Sequence, residues 1–340
     1  MSALSSLIQG TQPSQRAATY DKLAEQALRV FDVTTQEVTF LGHNSGVVYR
    51  VETSDGARLL LKVHAPQGES EALSARAILG GLRWLAEMAR RTDIPVQTPL
   101  PDPTGDMLPP VAFRGLMLHC SLQRWIEGQQ VDHLSESQAH AVGVSMGKWH
   151  TFAEQHEATS DDAVRYDSSH LNRCLAGLGV LVGDGSIPGD LWGTIEQAIA
   201  VVSSLAEDLG SSPEAFGVIH GDVIPDNILV ADDGAVRFID FAQLAVAHYL
   251  WDLGVALYHY SYQDCAVRRA MVAGYRESRP TVVIPRLALE AFICAAALDN
   301  LAFQVSIPQQ RASNLFHTNV QKFATGYCRD LVAGVPFALD

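Results

Sequence analysis

The sequence predicts an α+β chain of two lobes, an antiparallel sheet first and a mainly helical lobe after it. Three observations carry this. Between residues 38 and 63 three short apolar runs alternate like strands, with glycine-bearing turns between them. From residue 135 onward the apolar spacing is mostly that of helices, interrupted by a hairpin pattern around 218–241. The chain has 340 residues, more than one small core organises.

The elements follow in order. A polar leader runs into an amphipathic helix in which Tyr20, Leu23, Ala27 and Val30 share a face. Val38-Thr39-Phe40-Leu41, Val47-Val48-Tyr49-Arg50-Val51 and Arg58-Leu59-Leu60-Leu61-Lys62-Val63 read as a meander, turned at Gly42–Gly46 and at Ser54-Asp55-Gly56. A helix is expected over 70–91, a loop at Ile94–Pro101, and two strands near 111–113 and 116–120. The lobe boundary falls between 125 and 126, giving lobes 1–125 and 126–340. A long helix over 135–157 carries Val142, Met146, Trp149 and His150 on one side. Residues 170–210 are mixed in pattern, and the chain after the hairpin is mainly helical.

Composition narrows the class. Hydrophobic content of 47% suits a globular protein, and no apolar run reads as a membrane span. The first residues lack the basic and apolar regions of a signal peptide, so the cytoplasm is the expected location. The net charge of −14, from 38 acidic and 24 basic residues, argues against a nucleic-acid partner and favours a cationic one. The five cysteines are scattered without C-x-x-C spacing, and the twelve histidines do not cluster at zinc spacing. Reduced structural thiols are expected.

The motif that carries chemistry is His220-Gly221-Asp222-Val223-Ile224-Pro225-Asp226-Asn227, followed by Ile239-Asp240-Phe241. It has the form H-x-D-x-x-x-x-N with a second Asp on a following strand, the spacing used for phosphoryl transfer from Mg-ATP. Asp233-Gly234 reads as a tight two-residue turn, a register that sets Asn227 opposite Asp240 so that one metal ion touches both.

The order of meander with lysine, helix, strands, linker, helix, hairpin and helices resembles the aminoglycoside phosphotransferase and choline kinase family, over roughly residues 35–280. This is the small-molecule branch of the protein-kinase-like fold. Gly143-x-x-Met146-Gly147-x-x-His150 resembles the family's G-x-x-L-A-x-L-H helix, and His220-Gly221-Asp222 stands where protein kinases carry His-Arg-Asp. Ile239-Asp240-Phe241-Ala242 takes the place of Asp-Phe-Gly, and Trp251-Asp252-Leu253-Gly254 resembles the D-L-A segment. The resemblance implies ATP and Mg²⁺ and a γ-phosphate moved to a small-molecule hydroxyl.

It also implies roles. Asp222 accepts or orients the proton of the acceptor hydroxyl. Asn227 and Asp240 hold Mg²⁺. His220 braces the loop, and Asp252 accepts hydrogen bonds from it. Lys62 pairs with the α- and β-phosphates, and the turn carrying Asn44 and Ser45 covers them. Gln123, Trp125 and Ile126 meet adenine through backbone groups.

One departure is visible. Gly81 stands where a kinase helix carries the glutamate that pairs with the strand lysine, leaving Glu71 or Glu87 as substitutes. The reading is therefore an ATP-dependent small-molecule kinase, with two alternatives. One is a nucleotide-binding pseudo-enzyme or regulatory module. The other is a kinase of protein Ser/Thr, disfavoured by the lack of an Asp-Phe-Gly to Ala-Pro-Glu activation segment. Family acceptors include aminoglycosides, choline, homoserine, hydroxylysine, methylthioribose and fructosamines. Asp264, Glu277, Glu290 and Asp299 are possible recognisers of an amine, and Trp251, Tyr258, Tyr260 and Tyr262 possible aromatic walls. His248, His259 and Tyr258 are otherwise expected to be packing or surface residues. Oligomeric state is not legible.

Overall fold

A computed structural model describes residues 13–43, 46–64, 74–156, 164–183 and 185–339. Two compact units are present, one of Met1–Glu127 with Thr159–Val164, the other of Gly128–Ala158 with Arg165–Asp340.

In the first unit, helix α1 (Pro13–Val30) lays Tyr20, Leu23, Ala24, Ala27 and Leu28 into one core with the sheet residues Val47, Tyr49, Val51, Leu61 and Val63. Fully burying a leucine such as Leu61 contributes roughly 1.5–3 kcal/mol. The sheet is antiparallel, in the order β1-β2-β3-β6-β4, with β5 against β6. Its strands are β1 (Thr35–His43), β2 (Gly46–Thr53), β3 (Arg58–His64), β4 (Pro99–Leu100), β5 (Pro110–Phe113) and β6 (Leu116–Arg124). The β2–β3 turn is closed by Thr53 N–H to Ala57 O (2.9 Å) and Gly56 N–H to Thr53 O (3.0 Å). Pro99-Leu100, expected within a loop, instead pairs with Gln123 and Leu122 of β6. Proline tolerates this because it sits at the sheet edge and has no N–H to leave unpaired.

Helix α2 (Ala75–Arg91) starts at Ser74, whose hydroxyl accepts from Ala77 N–H (3.2 Å), and buries Leu82, Trp84, Leu85 and Met88. It runs unbroken through Gly80-Gly81, since packing of that apolar face outweighs a cost of about 1 kcal/mol per glycine.

The second unit opens with β7 (Gln129–Gln130) and helix α3 (Glu136–Gln155), which begins in a capping box between Ser135 and Gln138. After β8 (Val164–Arg165), residues that were mixed in pattern form α4 (Ser168–Gly183) and α5 (Gly189–Leu209). Strand β9 (Phe216–Ile219), the hairpin β10 (Ile228–Val230) and β11 (Val236–Phe238), and β12 (Ala245–His248) follow. The unit is completed by α6 (Leu250–His259), α7 (Cys265–Ser278), α8 (Arg286–Val305), α9 (Pro308–Arg311), α10 (Asn314–Lys322) and α11 (Arg329–Ala333).

Helices α3 and α7 touch backbone to backbone. A Cβ placed on Gly143 would meet Met271 O at 1.9 Å, and one on Gly274 would meet His140 O at 2.0 Å. The glycines of the Gly143-x-x-x-Gly147 helix are thus packing positions. Helix α8 has the length and mean hydropathy (1.4) of a membrane span, against the expectation of no such run, but 67% of that window is buried inside the protein. It is the core helix of the unit, apolar because other helices surround it.

Candidate active site

The loop after β9 is shaped by a buried carboxylate. Asp252, on α6 and 1% exposed, accepts from His220 N–H and Gly221 N–H, both at 2.8 Å, and from His150 Nε2 at 3.0 Å. His150 Nδ1 faces the Tyr275 hydroxyl at 2.9 Å. Three donors satisfy a buried carboxylate that would otherwise lose its hydration without compensation. Gly221 has φ +78°, and a Cβ there would meet Gln243 O at 2.3 Å, so only glycine fits.

His220 is fully enclosed. Its Nε2 donates to Ile239 O (3.1 Å) and its Nδ1 accepts from Asp222 N–H (3.3 Å), which sets a neutral tautomer. Burial lowers its pKa, in the same sense. The ring lies tilted against Phe241, 4.7 Å between centroids, and Phe241 stacks flat on Trp149 of α3. His220 therefore ties the loop to the strand that leads into Asp240.

Asp222 and Asn227 are joined directly. Asn227 Nδ2 donates to Asp222 Oδ2 (2.7 Å) and to Asp222 O (3.0 Å), which uses both of its hydrogens. Burial, and then the charge of Asp240, push the Asp222 carboxyl up to about 7, while the Asn227 hydrogen bond opposes the rise. The loop is also held from β7, where Gln130 Nε2 donates to Asp226 O (2.6 Å).

The hairpin differs in register from the expectation. Its loop has three residues, Asp232-Asp233-Gly234, closed by Ala231 N–H to Ala235 O (2.9 Å) and Gly234 N–H to Ala231 O (2.8 Å). Gly234 takes φ +80°, the left-handed position that ends a three-residue hairpin loop, and Asp233 Oδ1 accepts from Ala235 N–H. Pairing is then Ile228 with Phe238, and Asn227 O accepts from Ile239 N–H (3.0 Å). Asn227 lies opposite Ile239 rather than Asp240. Asp240 comes next, in a left-handed conformation (φ 57°, ψ 66°) that turns the chain into a 3₁₀ turn at Phe241–Gln243. Such backbone in a non-glycine residue costs on the order of 1 kcal/mol and clusters at functional sites.

In the first unit Lys62 is 9% exposed on β3, between Val48 of β2 and Ser121 of β6. Both carboxylate oxygens of Glu87 are engaged by Arg90 (3.0 and 2.8 Å), with Arg91 on one of them as well. Glu71, Asn44 and Ser45 lie outside the described residues. Gln123 is buried on β6 and Ile126 is buried beyond it. Arg124 N–H donates to Thr98 O (2.8 Å) and Trp125 N–H to Arg58 O (3.1 Å), both within the unit.

A family model described as the phosphotransferase enzyme family matches residues 37–287. The chain belongs to this family. It is a phosphotransferase that moves phosphate from ATP to a hydroxyl of a small molecule, on a kinase-like fold. A homoserine kinase of Acidiphilium cryptum is 26% identical over 299 residues, covering 83% of this chain and 86% of that one. A second homoserine kinase, of Gluconacetobacter diazotrophicus, is 29% identical over 120 residues, 34% of this chain and 36% of that one. Among solved structures, a microcompartment-associated aminopropanol kinase superposes with a TM-score of 0.73 at 22% identity, covering 94% of this chain and 99% of that one. An amicoumacin kinase in complex with AMP-PNP and Ca²⁺ superposes at 0.72, with 17% identity and coverage of 96% and 97%.

The possible amine recognisers of the phosphotransferase separate by burial. Asp264 caps α7, accepting from Ala266 N–H. Glu290, 1% exposed, accepts from the backbone of Phe337 and Ala338 and pairs with Arg286 (2.7 Å). Glu277 pairs with His140 at the surface (3.1 Å). Asp299 alone of the four bonds to a cluster, His170 and Cys174, that the sequence reading did not assemble. Trp251 and Tyr260 are buried and Tyr262 is 58% exposed, while the Tyr258 hydroxyl accepts from Asn300 (3.1 Å). His248 packs among Phe216 and Phe292.

Proposed function

We propose that this phosphotransferase acts on a small hydroxylated amine or amino acid, with homoserine the first acceptor to test. The observation that carries the reading is Asp222, a carboxylate on a braced loop, fixed by Asn227 and lifted to about 7. A group with that pKa is matched to taking a hydroxyl proton near neutrality. Its own ionised form attracts a cation, and Asp240 lies near enough to raise its pKa, so the surroundings favour an acceptor with positive charge. The homoserine kinases among the relatives, and the aminopropanol kinase among the structures, support an amino-alcohol acceptor.

Asp222 orients the acceptor hydroxyl and holds its proton at a carboxylate oxygen. Asn227 and Asp240 fit a hard cation. The Asn227 amide hydrogens are turned to Asp222, which leaves its carbonyl oxygen as a donor for such a cation. Bound there, Mg²⁺ would neutralise charge on the transferred phosphate. Lys62 supplies a positive charge for the phosphates, and Asp252 and His220 hold the loop in shape.

The test is ADP release with Mg-ATP across a panel of hydroxylated amines and amino acids, homoserine and aminopropanol included. Turnover that disappears in Asp222→Asn supports the proposal. ATP binding with no acceptor-dependent ADP release from any member would replace it with a nucleotide-binding module.

A further inference from the structure

We infer that His170, Cys174 and Asp299 form a binding site for a divalent transition metal of the zinc class, separate from the Asn227 and Asp240 pair. His170 and Cys174 stand one helical turn apart on α4, so their side chains leave the same face. Asp299 reaches the same point from α8. His170 Nε2 lies 2.8 Å from Asp299 Oδ1, and Cys174 Sγ lies 3.4 Å from each of those atoms.

Those distances are nearly the edges of a coordination tetrahedron. With bonds of about 2.05 Å to nitrogen, 2.1 Å to oxygen and 2.3 Å to sulfur, the edges are about 3.4, 3.55 and 3.6 Å. An ion therefore needs the His170–Asp299 pair to open by about 0.6 Å and the sulfur contacts by about 0.2 Å. Both donors sit on long helices, and the imidazole is held from either side. Tyr166 stacks on it at 4.2 Å, and Trp251 meets it edge-on at 5.7 Å. Ligands fixed by packing in this way are what a metal site requires. One thiolate, one imidazole and one carboxylate suit zinc better than magnesium, which prefers oxygen alone.

The site is reachable and incomplete. The side chains of His170 and Asp299 are 14% and 33% exposed, and three donors leave a fourth position for water or a ligand. On binding, the Cys174 S–H bond breaks and a sulfur–metal bond forms, with the proton passing to solvent. His170 Nε2 releases to solvent the hydrogen it donates to Asp299, the ring takes one from solvent on Nδ1, and the freed Nε2 lone pair binds the ion, while Asp299 exchanges that hydrogen bond for a metal bond.

Cobalt(II) is the probe, because a thiolate ligand produces a near-ultraviolet charge-transfer band. Titration of the full chain with Co²⁺ is expected to give that band at one equivalent, and Zn²⁺ should displace it. Cys174→Ser should abolish the band, and Asp299→Asn, which keeps the side-chain shape, should weaken Zn²⁺ binding tenfold or more. Asp240→Asn should leave the band intact, so this result is independent of the catalytic proposal. Thermal unfolding of each variant confirms that it is folded. Absence of the band in the wild type, its persistence in Cys174→Ser, or its loss only in Asp240→Asn would overturn the site.

Discussion

Replacing Asp222 with asparagine should make the protein more stable while removing its activity. An ordinary aspartate has a pKa of 3.8, and burial with the neighbouring Asp240 charge raises that of Asp222 to about 7. The folded state therefore disfavours the ionised form. Stability is highest where the group is protonated in both states, falls as pH rises through 3.8, and stops falling above about 7. The interval of about 3 pH units corresponds to about 4 kcal/mol at 1.36 kcal/mol per unit. By pH 5 about 1.2 units have been spent, roughly 1.6 kcal/mol, so about 2–2.5 kcal/mol remains between pH 5 and pH 8. Asparagine keeps the acceptor for Asn227 Nδ2 and carries no charge. Asp222→Asn should thus gain about 2–2.5 kcal/mol more over wild type at pH 8 than at pH 5, or roughly 5–10 °C in Tm for a unit of this size. The assay is urea and thermal unfolding of both proteins at the two pH values, without nucleotide or divalent ions. The variant should also lose 10²-fold or more in kcat. An equal stability difference at pH 5 and pH 8 would refute the electrostatic reasoning, whatever the effect on turnover.

Other consequences follow from the same contacts. Asp252→Ala strands two backbone N–H groups and His150 in the interior, and should cost on the order of 3–5 kcal/mol in urea unfolding, with loss of activity. Gly274→Ala drives a methyl group into His140 O and should destabilise by about 1–3 kcal/mol, read as a lower urea midpoint. Burial lowers His259 from 6.5 to about 4, so its contribution is present above pH 6.5 and is lost as pH falls towards 4. His259→Gln should remove about 3 kcal/mol of that pH dependence in unfolding measured from pH 7 to pH 4. Lys62→Met should raise the KM for ATP more than that for the acceptor, measured by ADP release.

Much of the active-site loop was legible because its donors are local in sequence. His220, Asp222 and Asn227 fall within eight residues, and the spacing alone brings them together. The hairpin register was misread by one residue, since a two-residue and a three-residue loop share the Asp-Gly signature and differ only in which residue turns left-handed. That choice moved Asp240 off the Asn227 pair and into its own strained turn. His150 stood within the family-like helix motif, but its contact with Asp252 spans 102 residues and had no local signal. The two helices of 168–209 were obscured because their buried faces are short, and Gly177 and Gly179 interrupt the first.

The sequence by itself determined the lobe order, the strand meander with Lys62, and a loop whose residue types and spacing suit phosphoryl transfer. These depend on periodicities of two and 3.6 residues and on turn chemistry, which act between near neighbours. Only the tertiary structure decided the rest. It lifted Asp222 to about 7 by enclosing it beside Asp240, and it directed three donors at Asp252. It also brought His170 and Cys174 to Asp299, 125 residues beyond the cysteine. Burial and charge proximity arise from contacts between distant segments, and those exist only once the chain has packed.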